Sequence, residues 1–269
     1  MARIDATARV ADGARIADTA EIGPFCMVGP DAELRDGVRL MSHVCVAGLT
    51  TVGERTVIHP FTSIGSPPQS TGYKGEPTKL TIGADCVIRE SVTICTGTVA
   101  GGGITTVGDR GFFMAYSHIG HDCHVGSDVT FANGATLGGH VTVGDFTFVG
   151  GLTAVHQFVR IGAHVMVGGM AGVSDDIIPF AISQGNFAKL RGINVVGMRR
   201  RKFSPETIRT VRNAYRQLFY GDGDLARRLA AAETEFGGEA AVAQILAFIR
   251  APRKRQLCRP DLRSEADAE

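Results

Sequence analysis

Val125-Gly-Ser-Asp-Val129-Thr-Phe131-Ala-Asn-Gly-Ala135-Thr-Leu137-Gly-Gly-His-Val141-Thr-Val143-Gly144 repeats with a period of six. A large apolar residue recurs at Val125, Phe131, Leu137 and Val143, and a small or β-branched residue follows each by four, at Val129, Ala135 and Val141. The same register runs back through Ile119, Phe113 and Val107 and forward through Val149, Val155, Ile161, Val167 and Val173. Nearer the N-terminus it holds at Ile4, Val10, Ile16, Ile22, Val28, Leu34, Leu40, Val46, Val52, Ile58 and Ile64, then at Ile82, Ile88 and Ile94. A period of six is neither the 3.6 of a helix nor the two of a plain strand. It is the period of a short strand plus a turn laid along each side of a triangular prism, a parallel β-helix. The aliphatic points inward, the small residue fills the corner, and the glycines that follow the aliphatic (Gly23, Gly53, Gly126, Gly144) are expected to supply the turn conformation.

Two interruptions predict loops thrown out of the prism. Pro67, Pro68, Gly72, Gly75 and Pro77 break the pattern near 66–80, and Ile94 to Val107 holds one residue more than two periods, with Gly101, Gly102 and Gly103 inside it, near 97–106. Loops of this kind in a regular scaffold more often carry function than not. Beyond Val173 the period stops. Ser204 and Pro205 read as the cap and first residue of a helix whose apolar face is Ile208, Val211, Ala214, Tyr215 and Leu218. Further helices are expected near 224–236 and 239–250, so the chain divides into a β-helix over 1–186 and a C-terminal helical domain over 187–269, its last residues frayed.

The 269 residues are 44% hydrophobic and include 35 glycines and no tryptophan, which suits stacked rungs rather than a core of large rings. No apolar run is long enough to span a membrane and no secretory leader is evident, so a cytoplasmic protein is expected. Cys26, Cys86 and Cys123 occupy the small-residue position and read as buried hydrophobes. Charge is lopsided: residues 1–186 carry 11 Lys/Arg against 17 Asp/Glu, and residues 187–269 carry 17 against 10. A basic C-terminal segment suits an acidic partner, and no aromatic-interleaved basic stretch points to nucleic acid.

The flat faces of a prism hold no cavity, so chemistry must come from polar residues aligned on neighbouring coils. His121, His140 and His156 are 19 and 16 residues apart, close to the 18 of one full coil, and His118 lies three residues before His121. Asp122 beside His121 is placed to orient an imidazole acting as general base, and Gly138-Gly139 offers bare backbone for an oxyanion. Those are the parts of an acyl transfer. A zinc site built on His118, His121 and His140, as in prism-shaped carbonic anhydrases, uses the same histidines. A third reading, a scaffold without activity, explains neither the loops nor the histidine column.

The run His118-Ile-Gly-His121-Asp122-Cys123, the Gly139-His140 step and Ala154-Val-His156-Gln157-Phe158 resemble the hexapeptide-repeat acyltransferases, and among them the UDP-N-acetylglucosamine 3-O-acyltransferases that open lipid A biosynthesis. So do Ile22-Gly-Pro-Phe25, Gly75-Glu-Pro-Thr78, Arg89-Glu-Ser-Val-Thr93, Gly97-Thr-Val99, Gly185-Asn186 and Gly192-Ile-Asn194, in order across nearly the whole chain. The resemblance implies a left-handed coil and a cytoplasmic homotrimer with active sites between subunits. It implies transfer of an (R)-3-hydroxyacyl group from acyl carrier protein to the 3-hydroxyl of the sugar nucleotide, the carrier's phosphopantetheine thioester being the donor, with no metal and no cofactor. By position it makes His121 the base, Asp122 its support and the Gly139 amide the oxyanion donor. His118, His140, His156, Gln157, Asn194 and Gln69 would line the substrate site, and Arg200 and Arg201 would meet the phosphates. Gly169, with Met170 beside it, takes the position that limits acyl length, and its lack of a side chain implies a long chain. The loop Gln69-Ser70-Thr71-Gly72-Tyr73-Lys74 departs from the Gln-Asp-Leu-Lys common in that family, which leaves a 3-amino sugar nucleotide as a rival acceptor.

Overall fold

The structure, a computed structural model, describes residues 1–261. The expected frayed end, and with it part of the 187–269 segment, lies outside the described residues from 262 onward. Each hexad forms one short strand, and Arg3 pairs with Glu21 and Ile4 with Ile22, so one coil takes eighteen residues. Three sheets of 11, 9 and 8 strands make the faces, and every pairing within the prism is parallel. The coil is left-handed. A first face carries Ile22, Ile58, Phe113 and Val149; a second carries Val28, Ile64, Ile119, Leu137 and Val155; a third carries Val52, Ile82, Val125 and Val143.

The inward residues are buried: Ile58, Ile64, Ile88, Ile94, Ile119, Leu137 and Val149 are all sealed from solvent, and the corner residues Val38, Val129, Ala135 and Val141 with them. Burying each large aliphatic contributes about 1.5–3 kcal/mol, so the prism is held by repetition of one modest gain. Cys26, Cys86 and Cys123 are buried free thiols in this core, and desolvation pushes Cys86 up to about 11 and Cys123 up to about 12.

Most of the turn glycines have a different reason from the one expected, Gly65 with its left-handed φ being an exception. Left-handed φ values fall three residues after the aliphatic, on Phe25, His43, Arg55, Phe61, Asp122, His140 and Phe158 among others. Gly23, Gly53, Gly126 and Gly144, directly after the aliphatic, are not in that region; a Cβ on any of them would strike the coil stacked above, such as Met41 carbonyl over Gly23. Close approach of successive coils, not turn conformation, excludes side chains there.

Past Val173 the first face continues into a hairpin, Ala181–Gln184 antiparallel to Lys189–Ile193, which closes the end of the prism. The expected boundary between 186 and 187 falls inside this hairpin. A short helix α1 (Val195–Arg200), not expected from the sequence, follows, capped by Asn194. Then come α2 (Pro205–Tyr220), α3 (Leu225–Phe236) and α4 (Ala240–Arg250), capped by Ser204, Asp224 and Glu239. Half-buried Arg160 ties the helices to the prism: it pairs with the buried Asp176 at 2.7 Å and lies over the Phe248 ring of α4. After α4 the chain returns to the prism, where Leu257 bridges to Asp176: the Asp176 N–H donates to Gln256 carbonyl and the Cys258 N–H donates to Asp176 carbonyl.

Candidate active site

The corner between the second and third faces gathers the predicted chemistry. Three turns stack there, Gly120-His121-Asp122, Gly138-Gly139-His140 and His156-Gln157-Phe158, each eighteen residues from the next. His121 therefore lies under Gly139, and Asp122 under His140 under Phe158. His121 Nδ1 meets Asp122 Oδ2 at 2.7 Å, and the Asp122 side chain is wholly buried. A carboxylate accepting from Nδ1–H leaves Nε2 as the basic nitrogen, with its lone pair directed away from the dyad. His140 packs edge-on to His121 at 5.0 Å, and its Nδ1 is 3.7 Å from the same Asp122 oxygen. Phe158 stacks flat on His140 at 4.4 Å.

Gly139 has a specific reason to be glycine. A Cβ there would lie 2.5 Å from His121 Cε1 and 2.7 Å from Nε2. Among the described residues its N–H has no acceptor, so bare backbone and a free amide sit against the reactive edge of the imidazole. A donor so placed can meet the oxyanion that forms on a carbonyl when a nucleophile deprotonated by His121 attacks it.

Burial lowers the affinity of His118 for a proton, and the neighbouring His121 adds to this. His140 is also lowered, chiefly by desolvation, with the charges of His121 and Lys254 working against a contrary pull from Asp122. His118 stands one strand inward on the second face, its Nδ1 2.7 Å from Thr93 Oγ1. The zinc reading required His118 together with His121 and His140. The groups that converge within 4.8 Å are instead His121, Asp122 and His140, and His118 is not among them. The donor set is thus a carboxylate–imidazole dyad with a second imidazole, not three histidines.

Contacts of Phe158, Lys254 and Arg255 are among those at this corner that escaped the sequence reading. Phe158 was recoverable, being eighteen residues after His140. Lys254 and Arg255 were not: Lys254 Nζ lies 4.2 Å over the Phe158 ring, and Arg255 holds the Gln157 carbonyl at 2.9 Å and reaches His156 Nδ1. They arrive from the chain after α4, about a hundred residues away, and no local pattern marks them. His156 and Gln157 are exposed beside these cations.

A family model described as UDP N-acetylglucosamine O-acyltransferase, domain 2, matches residues 176–258. A relative from Azorhizobium caulinodans named acyl-[acyl-carrier-protein]–UDP-N-acetylglucosamine O-acyltransferase is 55% identical over 260 residues, 97% of this chain and 96% of its own. One of the same name from Rhizobium etli is 46% identical, over 96% of this chain and 95% of its own. The solved UDP-N-acetylglucosamine O-acyltransferase of Moraxella catarrhalis matches with a TM-score of 0.92 at 37% identity, covering 95% of this chain and 99% of that one. The chain belongs to the UDP-N-acetylglucosamine O-acyltransferase family.

As a member of that acyltransferase family the chain carries its remaining expected site residues on other corners. Arg201, exposed, lies 4.1 Å over the Phe146 ring on the corner between the third and first faces; Arg200, also exposed, is the last residue of α1 beside it. Asn194 is on that side too, but both ends of its amide are committed: Oδ1 caps Gly197 N–H and Nδ2 donates to His164 carbonyl, each at 2.9 Å. It positions α1, and through it the arginines. Gly169 and Met170 lie on the corner between the first and second faces, both exposed. Gln69 is exposed in the first excursion, which folds on itself through Tyr73 hydroxyl to Glu76 carbonyl at 2.9 Å and Lys74 N–H to Glu76 carboxylate at 2.8 Å. The single chain therefore brings His121, Asp122, Gly139, His140, His156 and Gln157 together, with His118 on the adjoining strand, and keeps Arg200, Arg201, Asn194, Gly169 and Met170 apart from them.

Proposed function

We propose that this protein transfers an (R)-3-hydroxyacyl group from the phosphopantetheine thioester of acyl carrier protein to the 3-hydroxyl of UDP-N-acetylglucosamine, the first step of lipid A biosynthesis. The observation that carries the reading is the His121–Asp122 dyad lying beneath a side-chain-free Gly139. His121 Nε2 removes the proton of the sugar hydroxyl as its oxygen attacks the thioester carbonyl. Asp122 holds the imidazole in the productive tautomer and balances its charge once protonated. The Gly139 N–H donates to the tetrahedral oxyanion. Collapse expels the carrier thiolate, which takes the proton back from His121. General-base assistance of this kind contributes roughly 10²–10⁴-fold and one oxyanion donor about 10²–10³-fold. The carrier thioester supplies the leaving group, and the reading needs no other cofactor.

A homotrimer is part of the same proposal. The expected residues are spread over three corners of a single prism, and neighbouring prisms packed side by side would bring a different corner of each copy into one cleft. An exposed apolar ladder along the first–second corner, Phe25, Phe61, Tyr116, Leu152 and Met170, supports such packing. In that arrangement Arg200 and Arg201 serve the phosphates, Gln69 and the first excursion reach the sugar, and Gly169 opens the acyl slot to a long chain. A cytoplasmic setting belongs to the same reading, since carrier-bound donor and sugar nucleotide must both reach the cleft. Among the described residues no helix is long and apolar enough to cross a membrane.

The test is a mass-resolved competition. Protein receives 3-hydroxymyristoyl carrier protein with UDP-N-acetylglucosamine and its 3-amino analogue together, beside a His121→Ala control. An ester that disappears in the control is the expected result. A preference for the amide would reassign the acceptor, and no product from either sugar would sink the acyltransfer reading.

A further inference from the structure

The second excursion closes over the buried end of the catalytic dyad. It leaves the second face after Cys95, makes one 3-10 turn at Val99–Gly101 and returns at Ile104. Thr98 caps that turn and holds both oxygens of Asp122: its N–H donates to Oδ1 and its hydroxyl to Oδ2, each at 2.7 Å. The same hydroxyl accepts from Gly101 N–H at 3.1 Å. Below, the Asp122 N–H is taken by Thr105 Oγ1 at 2.9 Å. Gly97 and Gly101 pack so tightly on the carboxylate that a Cβ on either would strike it.

This arrangement solves a problem the dyad would otherwise have. Asp122 Oδ2 lies between two imidazoles, His121 Nδ1 at 2.7 Å and His140 Nδ1 at 3.7 Å. A buried carboxylate swings to whichever donors fill its lone pairs, since an unfilled one is costly. With Oδ1 tied to the Thr98 amide and Oδ2 to its hydroxyl, the plane of the group is set toward His121. We propose that Thr98 is a positioning residue for the dyad, and that the Gly97–Gly103 excursion exists to aim Asp122 at His121 rather than at His140. The inference rests on the acyltransfer reading for its kinetic consequence, but not for its structural one.

The experiment compares Thr98→Val and Thr98→Ser, with Gly101→Ala reaching the same carboxylate by a steric route. In Thr98→Val, kcat is expected to fall about tenfold or more, a share of the general-base contribution, while KM for both substrates stays within about twofold. Thr98→Ser, which keeps the hydroxyl, restores kcat, and Gly101→Ala lowers it. In protein labelled with ¹⁵N-histidine, the downfield Nδ1–H signal of His121, assigned by its loss in His121→Ala, should weaken or move in Thr98→Val and persist in Thr98→Ser. A Thr98→Val protein with full kcat and an unchanged signal overturns the proposal, as does a Thr98→Ser variant no better than Thr98→Val. If Thr98→Val does not fold, Thr98→Ser and Gly101→Ala decide, and Gly101→Ala with unaltered kcat and signal overturns it. A wild type without transferase activity would instead count against the proposed function, and the histidine signal would still test the aim of Asp122.

Discussion

Gly139 sits one coil above His121, and a methyl group in place of its hydrogen would lie 2.5 Å from the imidazole Cε1. That stacking joins the proposed base and the proposed oxyanion donor through the eighteen-residue repeat: the same register that builds the core puts a free amide over the imidazole.

Gly139→Ala should therefore inactivate without unfolding. The added methyl displaces His121 from the Asp122 axis, and kcat is expected to drop about 10²-fold or more, the scale of a lost base or oxyanion donor. Steady-state kinetics beside a melting curve checks this; a variant with near-normal kcat would show that the ring does not need that space.

Arg200→Ala is expected to raise KM for the sugar nucleotide by roughly 10–100-fold, since a charge-assisted bond to phosphate contributes about 1.5–3 kcal/mol. Arg200 is exposed at the end of α1, so the melting temperature should hardly change. Calorimetric titration with UDP-N-acetylglucosamine measures the effect, and unchanged affinity would remove Arg200 from the phosphate site.

Among the described residues, its chain neighbours aside, Gly169 has only Gly151 backbone within 4 Å of where a methyl group would stand, so a larger side chain would extend into open space at that corner. Gly169→Met should shift donor preference toward shorter 3-hydroxyacyl chains while leaving the shortest donors unaffected. A panel of carrier-linked chains of graded length reads this directly, and an unaltered length profile would dissociate Gly169 from the acyl slot.

Three histidines impose a sign on acid stability. His118, His140 and His164 all bind protons less readily in the folded state, desolvation being the leading cause for each, with Arg201 adding to the effect at His164. Their imidazoles charge more easily unfolded, so stability is full above the ordinary value of about 6.5 and falls as pH drops below it. His164 is stacked between Phe146 and Phe180, with ring centroids at 4.8 and 5.0 Å, and has a left-handed φ that asparagine tolerates. His164→Asn should flatten the loss of melting temperature between neutral and mildly acid pH; an equally steep loss would assign the acid sensitivity elsewhere.

The sequence by itself determined the prism, the places where it is interrupted, the three long C-terminal helices and the stacking of His121, Asp122, Gly139 and His140, because each follows from a repeat whose period equals a fixed advance along the coil. Phe158 was legible by the same count. Tertiary structure alone decided what fills the spaces the repeat leaves open. Thr98 reaches Asp122 from an excursion that obeys no period, and Lys254 and Arg255 reach Phe158, His156 and Gln157 from about a hundred residues away. The cap that Asn194 places on α1 was not legible either, since its partner His164 carbonyl is set by packing rather than by spacing. Gly23, Gly53, Gly126 and Gly144 looked like a conformational requirement and are a steric one, because the clash that excludes a side chain comes from the next coil, eighteen or more residues on, and exists only once the coils are stacked.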